Sequence, residues 1–354
     1  MDGRVLMKGN EAIAEAAIRA GCRHYFGYPI TPQTEIAHYM AKRMVEAGGV
    51  FVQAESEVAA INMVYGAASA GARVLTSSSS PGISLKQEGF SYIAGAEIPA
   101  VVVNIVRGGP GLGGILPAQG DYFQATKGGG HGDYRNVVLA PASVQELYEM
   151  TVEAFNIADR YNVLVMIMGD GALGQMMEPV RFRAAEADDP TDKPWALTGT
   201  RGKREHNYVT SIYIEADDLE ALNLRLQAKY REIEKNETRV ETTGCEGAEL
   251  LITAFGTCSR IMKNVIASAE AEGIRVGLVR PVTLWPFPSE AVAQMAAQPS
   301  VKALLDVELN AGQMLEDVRL AVNGAKPVHF HGRMGGNLPT QAELLDKIRE
   351  IVGR

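Results

Sequence analysis

Val101-Val102-Val103-Asn104-Ile105-Val106 runs into Arg107 and then into Gly108-Gly109-Pro110-Gly111-Leu112-Gly113-Gly114. Successive side chains of a strand point to opposite faces, so a run this apolar needs cover on both sides, as the central strand of a parallel sheet has. Similar short β-rich runs lie to either side, at 24–26, 50–52, 74–76, 137–139 and 163–167. Alanine-rich helical stretches, 57–70 and 144–158 among them, fill the intervals. An earlier helix starts at Asn10, which is placed to cap it; Ile13, Ala16, Ala17 and Ala20 recur at helical spacing, and Gly21 ends the run. Strand and helix in alternation predict a doubly wound α/β domain on a parallel sheet.

Toward the C-terminus the composition changes around Pro190. The stretch 188–213 is polar, is broken by Pro and Gly and has no period, which predicts a connection between domains. Asp217 to Lys235 then carries Leu219, Leu222, Leu226, Tyr230 and Ile233 at three- and four-residue steps, a charged helix with one face to bury. From Glu249 a second series begins, with strand-like runs at 249–255, 275–279, 301–307 and 327–331. Helices end at Glu272, follow Pro288, and start at Gly312 and Thr340. The expected organisation is a doubly wound domain over 1–190, a linker with a charged amphipathic helix over 191–245, and a smaller α/β domain over 246–354.

Length and composition bound the function. The chain has 354 residues, 46% of them hydrophobic, with 34 basic and 42 acidic side chains. That composition fits a folded globular protein, not a disordered, collagen-like or transmembrane one. A formal net charge of -8 without a Lys/Arg cluster argues against nucleic-acid binding and leaves small molecules and protein partners. The first residues lack an apolar signal core and the last lack a lipidation box, so the expected location is cytoplasmic, with no membrane attachment. Cys22, Cys245 and Cys258 lie far apart with no C-x-x-C pair. They offer no metal site and no four-thiolate cluster set, and each reads as a small buried hydrophobe.

Residues able to carry chemistry gather at the C-terminal edge of the first predicted sheet, where open α/β folds bind ligands. Tyr28-Pro29-Ile30-Thr31-Pro32 follows a strand. Its prolines fix the loop and leave Thr31 to present a hydroxyl, or simply to cap the next helix. Glu57 opens an otherwise apolar helix, in which 58–64 contains Asn62 alone as a polar side chain. It either faces the helix dipole or is a partly desolvated carboxylate. Arg107 is placed to pair bidentately with a carboxylate or phosphate, or to snorkel at the sheet edge. The second glycine cluster, 127–133, brings Lys127 and His131, but neither loop is a nucleotide fingerprint and His131 alone reads as structural.

Taken together, YPITP at 28–32, the Glu57 helix, RGGPGLGG at 107–114, GQMMEPV at 174–180 and RPVTLWPFP at 280–288 resemble the α subunit of the 2-oxoacid:ferredoxin oxidoreductases, over nearly the whole chain. The tracts QAESEVAAINMVYGAASAG and KGGGHGDYRNVVLAP are similar to the branched-chain members, whose substrate is 2-oxoisovalerate (3-methyl-2-oxobutanoate). The pyruvate and 2-oxoglutarate enzymes are the alternatives within the family; a non-catalytic anion-binding α/β protein is the alternative outside it.

The resemblance implies a thiamine-diphosphate pyrimidine-binding domain at 1–190 and a transketolase C-terminal-like domain at 246–354. It places the diphosphate and Mg²⁺ on a separate β subunit. Gly169-Asp170-Gly171 agrees, because it lacks the downstream Asn that would supply Mg²⁺ with a second oxygen, and Asp170 reads as a turn residue. The implied reaction is oxidative decarboxylation of a 2-oxoacid to acyl-CoA and CO2, with coenzyme A as co-substrate. Electrons pass through iron-sulfur clusters on γ and ferredoxin-like subunits to ferredoxin. Residue by residue, Glu57 is implied as the glutamate that hydrogen-bonds N1′ of the aminopyrimidine and so promotes its imino form. Thr31 and Arg107 are implied to hold the 2-oxoacid carboxylate, and Tyr28, Pro29 and Ile30 to contact the pyrimidine ring. A loop from Ser78 to Gly82 is implied to line the same site, with Ser79 and Gly82 as cofactor-binding residues.

Overall fold

The computed structural model describes residues 3–182 and 193–354, so the expected boundary at 190–191 lies outside the described residues. In chain order the elements are β1 (Arg4–Lys8), α1 (Gly9–Arg19), β2 (His24–Gly27), α2 (Thr34–Glu46), β3 (Val50–Gln53), α3 (Glu57–Ser69), β4 (Val74–Ser78) and α4 (Ser80–Gly95). Then come β5 (Ala100–Val106), α5 (Tyr122–Thr126), β6 (Val137–Leu139), α6 (Val144–Tyr161), β7 (Leu164–Asp170), α7 (Gly171–Gln175) and β8 (Met177–Arg181). The remainder is α8 (Ala216–Glu237), β9 (Val240–Thr243), β10 (Leu250–Thr253), α9 (Gly256–Ala271), β11 (Val276–Pro281), β12 (Thr283–Trp285), α10 (Ser289–Ala296), β13 (Ala303–Glu308), α11 (Met314–Val322), β14 (Val328–Gly332) and α12 (Gln341–Val352).

Among the described residues the strands form a seven-stranded sheet, β12-β6-β7-β5-β4-β2-β3, a five-stranded sheet, β14-β13-β10-β11-β9, and the pair β1-β8. The seven-stranded sheet is parallel except for β12, and the five-stranded one except for β9. All of β5 is buried. Val101, Val103 and Ile105 pack on one face with Ile13, Met40 and Phe155. Val102 and Val106 pack on the other with Ile61, Phe90 and Met166. Each such side chain stabilises the fold by about 1.5–3 kcal/mol on burial, so covering both faces makes this strand the spine of the sheet.

The second apolar layer does not stop at the first sheet. It continues through Tyr122 and Phe255, whose ring centroids are 5.9 Å apart, to Leu304 and Val318 beside the five-stranded sheet. Gln119 fastens the same junction: its amide donates to Phe255 O (2.9 Å) and accepts from Leu309 N (3.0 Å). The glycine loop after β5 lies against the 335–336 turn, since a Cβ on Gly108 would stand 3.5 Å from Gly335 C.

Three local expectations are corrected. Asn10 does not cap α1, which begins at Gly9; it is buried, and its amide reaches across to Pro32 O (2.8 Å). The segment from Ser78 to Gly82 is not a loop: β4 ends at Ser78, and α4 starts at Ser80 with Pro81 in its first turn, a position where the missing N–H costs nothing. Asp170 is not a plain turn residue; it closes β7 and caps α7, accepting from Ala172 N (2.9 Å) and Leu173 N (3.1 Å). The antiparallel additions β1-β8, β9 and β12 had no expected counterpart, because each is short and pairs with a strand distant in sequence.

Candidate functional site

The strands β2, β4 and β5 are neighbours, so the segments that follow them share one edge of the sheet. The loop 28–32 after β2 is held by its carbonyls. Gln33 Nε2 donates to Tyr28 O (3.3 Å), Arg107 Nη1 to Thr31 O (3.0 Å), and Asn10 and Gln175 both donate to Pro32 O (2.8 and 3.1 Å). With its backbone fixed this way, the loop leaves Tyr28, Pro29 and Thr31 exposed and Ile30 half-buried. Arg107 is 7% exposed and its second terminal nitrogen donates to Leu112 O (2.9 Å), tying the 28–32 loop to the glycine loop. Its Nε–H is buried without a partner.

Glu57 is the first residue of α3, but the cap is Ser56, whose hydroxyl accepts from Ala59 N (3.1 Å). The Glu57 side chain is therefore free of capping duty. It is 5% exposed, and Oε1 accepts a bond from Ser78 Oγ at 3.4 Å. Gly82 explains how α4 comes so near: a Cβ there would stand 2.0 Å from Ser78 Oγ and 2.3 Å from Glu57 Oε1. Ser79 Oγ is buried at the same helix start with no hydrogen-bond partner. Ser79, Gly82, Ser78 and Glu57 thus come together, with Thr31 and Arg107 on the adjoining strand ends.

One turn beyond Gly82, Lys86 is fully buried. Its Nζ donates to Thr76 Oγ1 (2.6 Å) and Ser77 O (3.1 Å). Burial pushes the amine down to about 7, against the opposing pull of the Glu57 charge. The network continues: Ser77 Oγ donates to Gln33 Oε1 (2.6 Å) and lies 2.7 Å from Tyr25 Oη. Sequence reasoning missed Lys86, Gln33, Asn10 and Gln175. Lys86 had one signal, a lysine on the stripe Ile83, Phe90 and Ile93 that α4 buries.

Other residues singled out earlier lie elsewhere or are engaged. Lys127 pairs with Asp317 (2.5 Å), and His131 is exposed, with its carbonyl accepting from Ser91. Burial raises the Asp170 carboxyl. Among the described residues no group of three or more His, Cys, Asp or Glu could hold a metal ion. Cys22, Cys245 and Cys258 are all buried free thiols, and burial pushes Cys22 up to about 12, out of the reactive range. A cleft of about 460 Å³ opens beside Thr31, between Pro32, Ile115, Leu116 and the start of α7.

Fold and family place the chain among thiamine-diphosphate-binding α/β proteins. Residues 15–241 match the family described as pyruvate flavodoxin/ferredoxin oxidoreductase, thiamine diP-binding, and residues 248–344 match pyruvate:ferredoxin oxidoreductase core domain II. The chain belongs to the 2-oxoacid:ferredoxin oxidoreductases, as a subunit of an oxidoreductase that works in a complex. The ketoisovalerate oxidoreductase subunit VorB of Methanothermobacter thermautotrophicus is 51% identical to it over 98% of both chains. The 2-oxoglutarate synthase subunit KorA of Archaeoglobus fulgidus is 39% identical, over 93% of this chain and 95% of its own.

Among solved structures, the 2-oxoglutarate:ferredoxin oxidoreductase from Magnetococcus marinus, with 2-oxoglutarate, coenzyme A and succinyl-CoA bound, matches with a TM-score of 0.88 at 28% identity. The match covers 98% of this chain and 65% of that one. A split-gene transketolase, an inactive β4 tetramer, shares the fold alone, at 14% identity and a TM-score of 0.62. No helix among the described residues is long and apolar enough to cross a membrane.

Proposed function

We propose that this chain supplies the pyrimidine half of the thiamine diphosphate site in a cytoplasmic oxidoreductase acting on branched-chain 2-oxoacids, 2-oxoisovalerate above all. One observation carries the site: a buried carboxylate, Glu57, faces a helix stripped of its side chain at Gly82. That arrangement fits a flat nitrogen heterocycle, which needs an ionisable oxygen at its edge and bare backbone beside it. The unsatisfied Ser79 hydroxyl adds a polar group with no protein partner.

When bound, thiamine diphosphate supplies the carbon nucleophile and the electron sink for decarboxylation. The chain's own part is to hold and share a proton. Glu57 meets N1′ and carries the proton shared with it; Gly82 leaves room for the ring, and Tyr28, Pro29 and Ile30 border it. The Thr31 hydroxyl and the free Nε–H of Arg107 are the donors left for the substrate carboxylate. Desolvation at Arg107 strengthens such a bond, because a buried guanidinium whose hydrogen bonds go to neutral carbonyls has more to gain from an anion.

The pyrimidine-binding unit in this reading is 1–190, joined by 191–245 to the C-terminal unit at 246–354. Asp170 does not fit a diphosphate-bound Mg²⁺, since its Oδ1 is engaged at the start of α7. That supports assigning the metal and diphosphate to a β subunit. With three buried cysteines, the chain also leaves the iron-sulfur clusters to γ and ferredoxin-like partners, with ferredoxin and coenzyme A as reactants. The branched-chain preference rests on the 51% identity to the ketoisovalerate subunit, against 39% to a 2-oxoglutarate one. A 2-oxoacid panel on the assembled complex tests it; a higher kcat/KM for 2-oxoglutarate or pyruvate than for 2-oxoisovalerate refutes it. Cofactor content tests the division of labour: the isolated chain should carry almost no thiamine diphosphate, and stoichiometric cofactor with Mg²⁺ on it alone would overturn the assignment.

A further inference from the structure

The carbonyl of Pro32 closes the 28–32 loop, and proline has no N–H through which it could be held. Two side-chain amides hold it instead. Asn10 Nδ2, from the start of α1, donates to Pro32 O (2.8 Å) and to Glu35 Oε2 (2.8 Å). Gln175 Nε2, from the end of α7, makes the same two bonds at 3.1 and 2.8 Å. Both lone pairs of the carbonyl are thus taken, and Glu35, in the first turn of α2, is the hub on which the two amides are aligned. Lys8 Nζ completes the ring. It donates to Glu35 Oε1 (3.1 Å) and to Gln175 Oε1 (3.3 Å), which turns the Gln175 amide so that its nitrogen faces Pro32. Arg107 Nη1 holds the preceding carbonyl, Thr31 O (3.0 Å), so the two peptide planes that follow the Thr31 side chain are pinned separately.

Stability alone does not account for this arrangement. Asn10 is fully buried, and its Oδ1 has no hydrogen-bond partner. Turning the amide over would set that oxygen against two acceptors, Pro32 O and Glu35 Oε2. A leucine at position 10 would leave no buried side-chain acceptor short. Gln175 is exposed, and a hydrogen bond made beside water adds only modestly to folding. Yet both amides converge on one atom next to Thr31, and Glu35 and Gln175 line the cleft of about 460 Å³ that Thr31 borders. We propose that Asn10, Glu35 and Gln175 are positioning residues for the substrate: by fixing Pro32 O they set where Thr31 presents its hydroxyl, and so how the carboxylate of a 2-oxoacid seats against Thr31 and Arg107. This rests on the reading of Thr31 and Arg107 given above. Thr31 is exposed, so packing does little to fix its side chain, and its direction is only as definite as the backbone that carries it.

The first arm of the test uses the assembled complex at saturating thiamine diphosphate. Wild type, Gln175→Met, Thr31→Val and the double variant are run on 2-oxoisovalerate, pyruvate and 2-oxoglutarate. Gln175→Met keeps the length of the side chain and removes one of the two donors; Gln175→Ala repeats the test should methionine fill the cleft. KM should rise by about fivefold to tenfold for every acid, with kcat within about twofold of wild type. The factor should be common to the panel, because the carboxylate is common to all three acids. Asn10→Leu, which removes the other donor, should act in the same direction. In the Thr31→Val background, Gln175→Met should raise KM by less than about twofold, since the hydroxyl it positions has gone. Losses that multiply in the double variant, a fall in kcat with KM unmoved, or a KM that rises for one acid and not the others each overturn the proposal.

The second arm needs neither cofactor nor partner. Amide hydrogen exchange over 28–36 is followed in the full chain, where Gln33 N–H donates to Ile30 O (3.2 Å) and Ile36 N–H to Gln33 O (2.9 Å). Gln175→Met should speed exchange at Gln33 by about fivefold, the equivalent of one lost hydrogen bond, while exchange in β5 and the urea midpoint stay at their wild-type values. Wild-type exchange at Gln33 in both Gln175→Met and Asn10→Leu means that the amides do not hold the loop, and overturns the proposal. Thr31→Val with wild-type KM for all three acids overturns the carboxylate reading and the proposal with it, and is told apart because Gln175→Met still speeds exchange at Gln33.

Discussion

Replacing Gly82 by alanine adds one methyl group at the closest approach in the site. The new Cβ would lie 2.0 Å from Ser78 Oγ, 2.3 Å from Glu57 Oε1 and 2.9 Å from Glu57 Cδ. None of these separations is tolerable, so Ser78 or Glu57 must move, and both are buried. On propensity alone, alanine in a helix is better than glycine by about 1 kcal/mol. Overpacking costs about 1–3 kcal/mol, and breaking the Ser78–Glu57 bond leaves a buried acceptor short by about 1–3 kcal/mol more. The net expectation is a loss of about 1–5 kcal/mol, the sum of these opposing effects. Gly66→Ala in α3 is the control: nothing lies within 4 Å of its Cβ, so it should stabilise by about 0.5–1 kcal/mol. Urea unfolding of the two variant chains reads the difference in sign, and titration of thiamine diphosphate into the assembled complexes reads the effect on the site. A Gly82→Ala chain as stable as Gly66→Ala, in a complex with wild-type cofactor affinity, refutes the cradle.

Glu57→Gln should preserve folding, with unfolding midpoints close to wild type, and lower kcat in the complex by about 10²-fold or more, since an amide cannot share the proton; wild-type turnover would assign Glu57 to helix stabilisation alone. Arg107→Lys should lower the melting temperature, because one ammonium cannot hold Thr31 O and Leu112 O together as a planar fork does, and raise KM for every 2-oxoacid. In Arg107→Ala, a lowered melting temperature with unchanged KM rejects the carboxylate contact, whereas substrate binding weaker by about 2–5 kcal/mol supports it. Asp306 is buried, and desolvation with the neighbouring Glu308 charge raises its carboxyl well above 3.8. Its contribution is therefore present in acid and lost as pH rises, so Asp306→Asn should be gained in stability relative to wild type at alkaline pH more than near pH 4; parallel pH–stability curves would contradict this.

The elements legible in the sequence are those whose signal is local. β5 was readable because Val101 to Val106 must be covered on both sides, and the two apolar clusters cover it. Glu57 stood out because the rest of its helix is apolar. What escaped is held together by contacts between distant residues. Asn10 looked like a helix cap, and Gln175 lay within a motif without a role; both prove to hold Pro32 O, and nothing local to either states that partner. The run of serines before Pro81 read as a loop, yet Ser78 belongs to β4 and Ser80 to α4, because proline in a first helical turn is compatible with either reading. Strand β12 adds to the first sheet from a segment more than a hundred residues beyond its partner β6, and three residues give too little pattern to reveal it.

Two of the buried polar atoms without a hydrogen-bond partner lie at the strand ends that carry the candidate site. Away from β2, β4 and β5, candidate residues are engaged: Asp170 caps α7, and Lys127 is paired with Asp317. Ser79 Oγ and Arg107 Nε are buried and unpartnered, and Glu57 has a single 3.4 Å bond from Ser78. Leaving buried polar groups short costs stability that apolar replacements would recover, and their presence beside Glu57 supports the proposed ligand from outside the chain. Around them, Tyr28, Val58 and Leu85 are exposed at 37, 44 and 53%, an apolar rim adjoining an unsatisfied polar centre. On the proposed reading a cofactor satisfies the centre, while the rim and the diphosphate-metal ligands, which are not found among the described residues, call for a protein surface. On that reading, one partner subunit closing over the same edge meets both requirements, so the half-site and the oligomer stand or fall together.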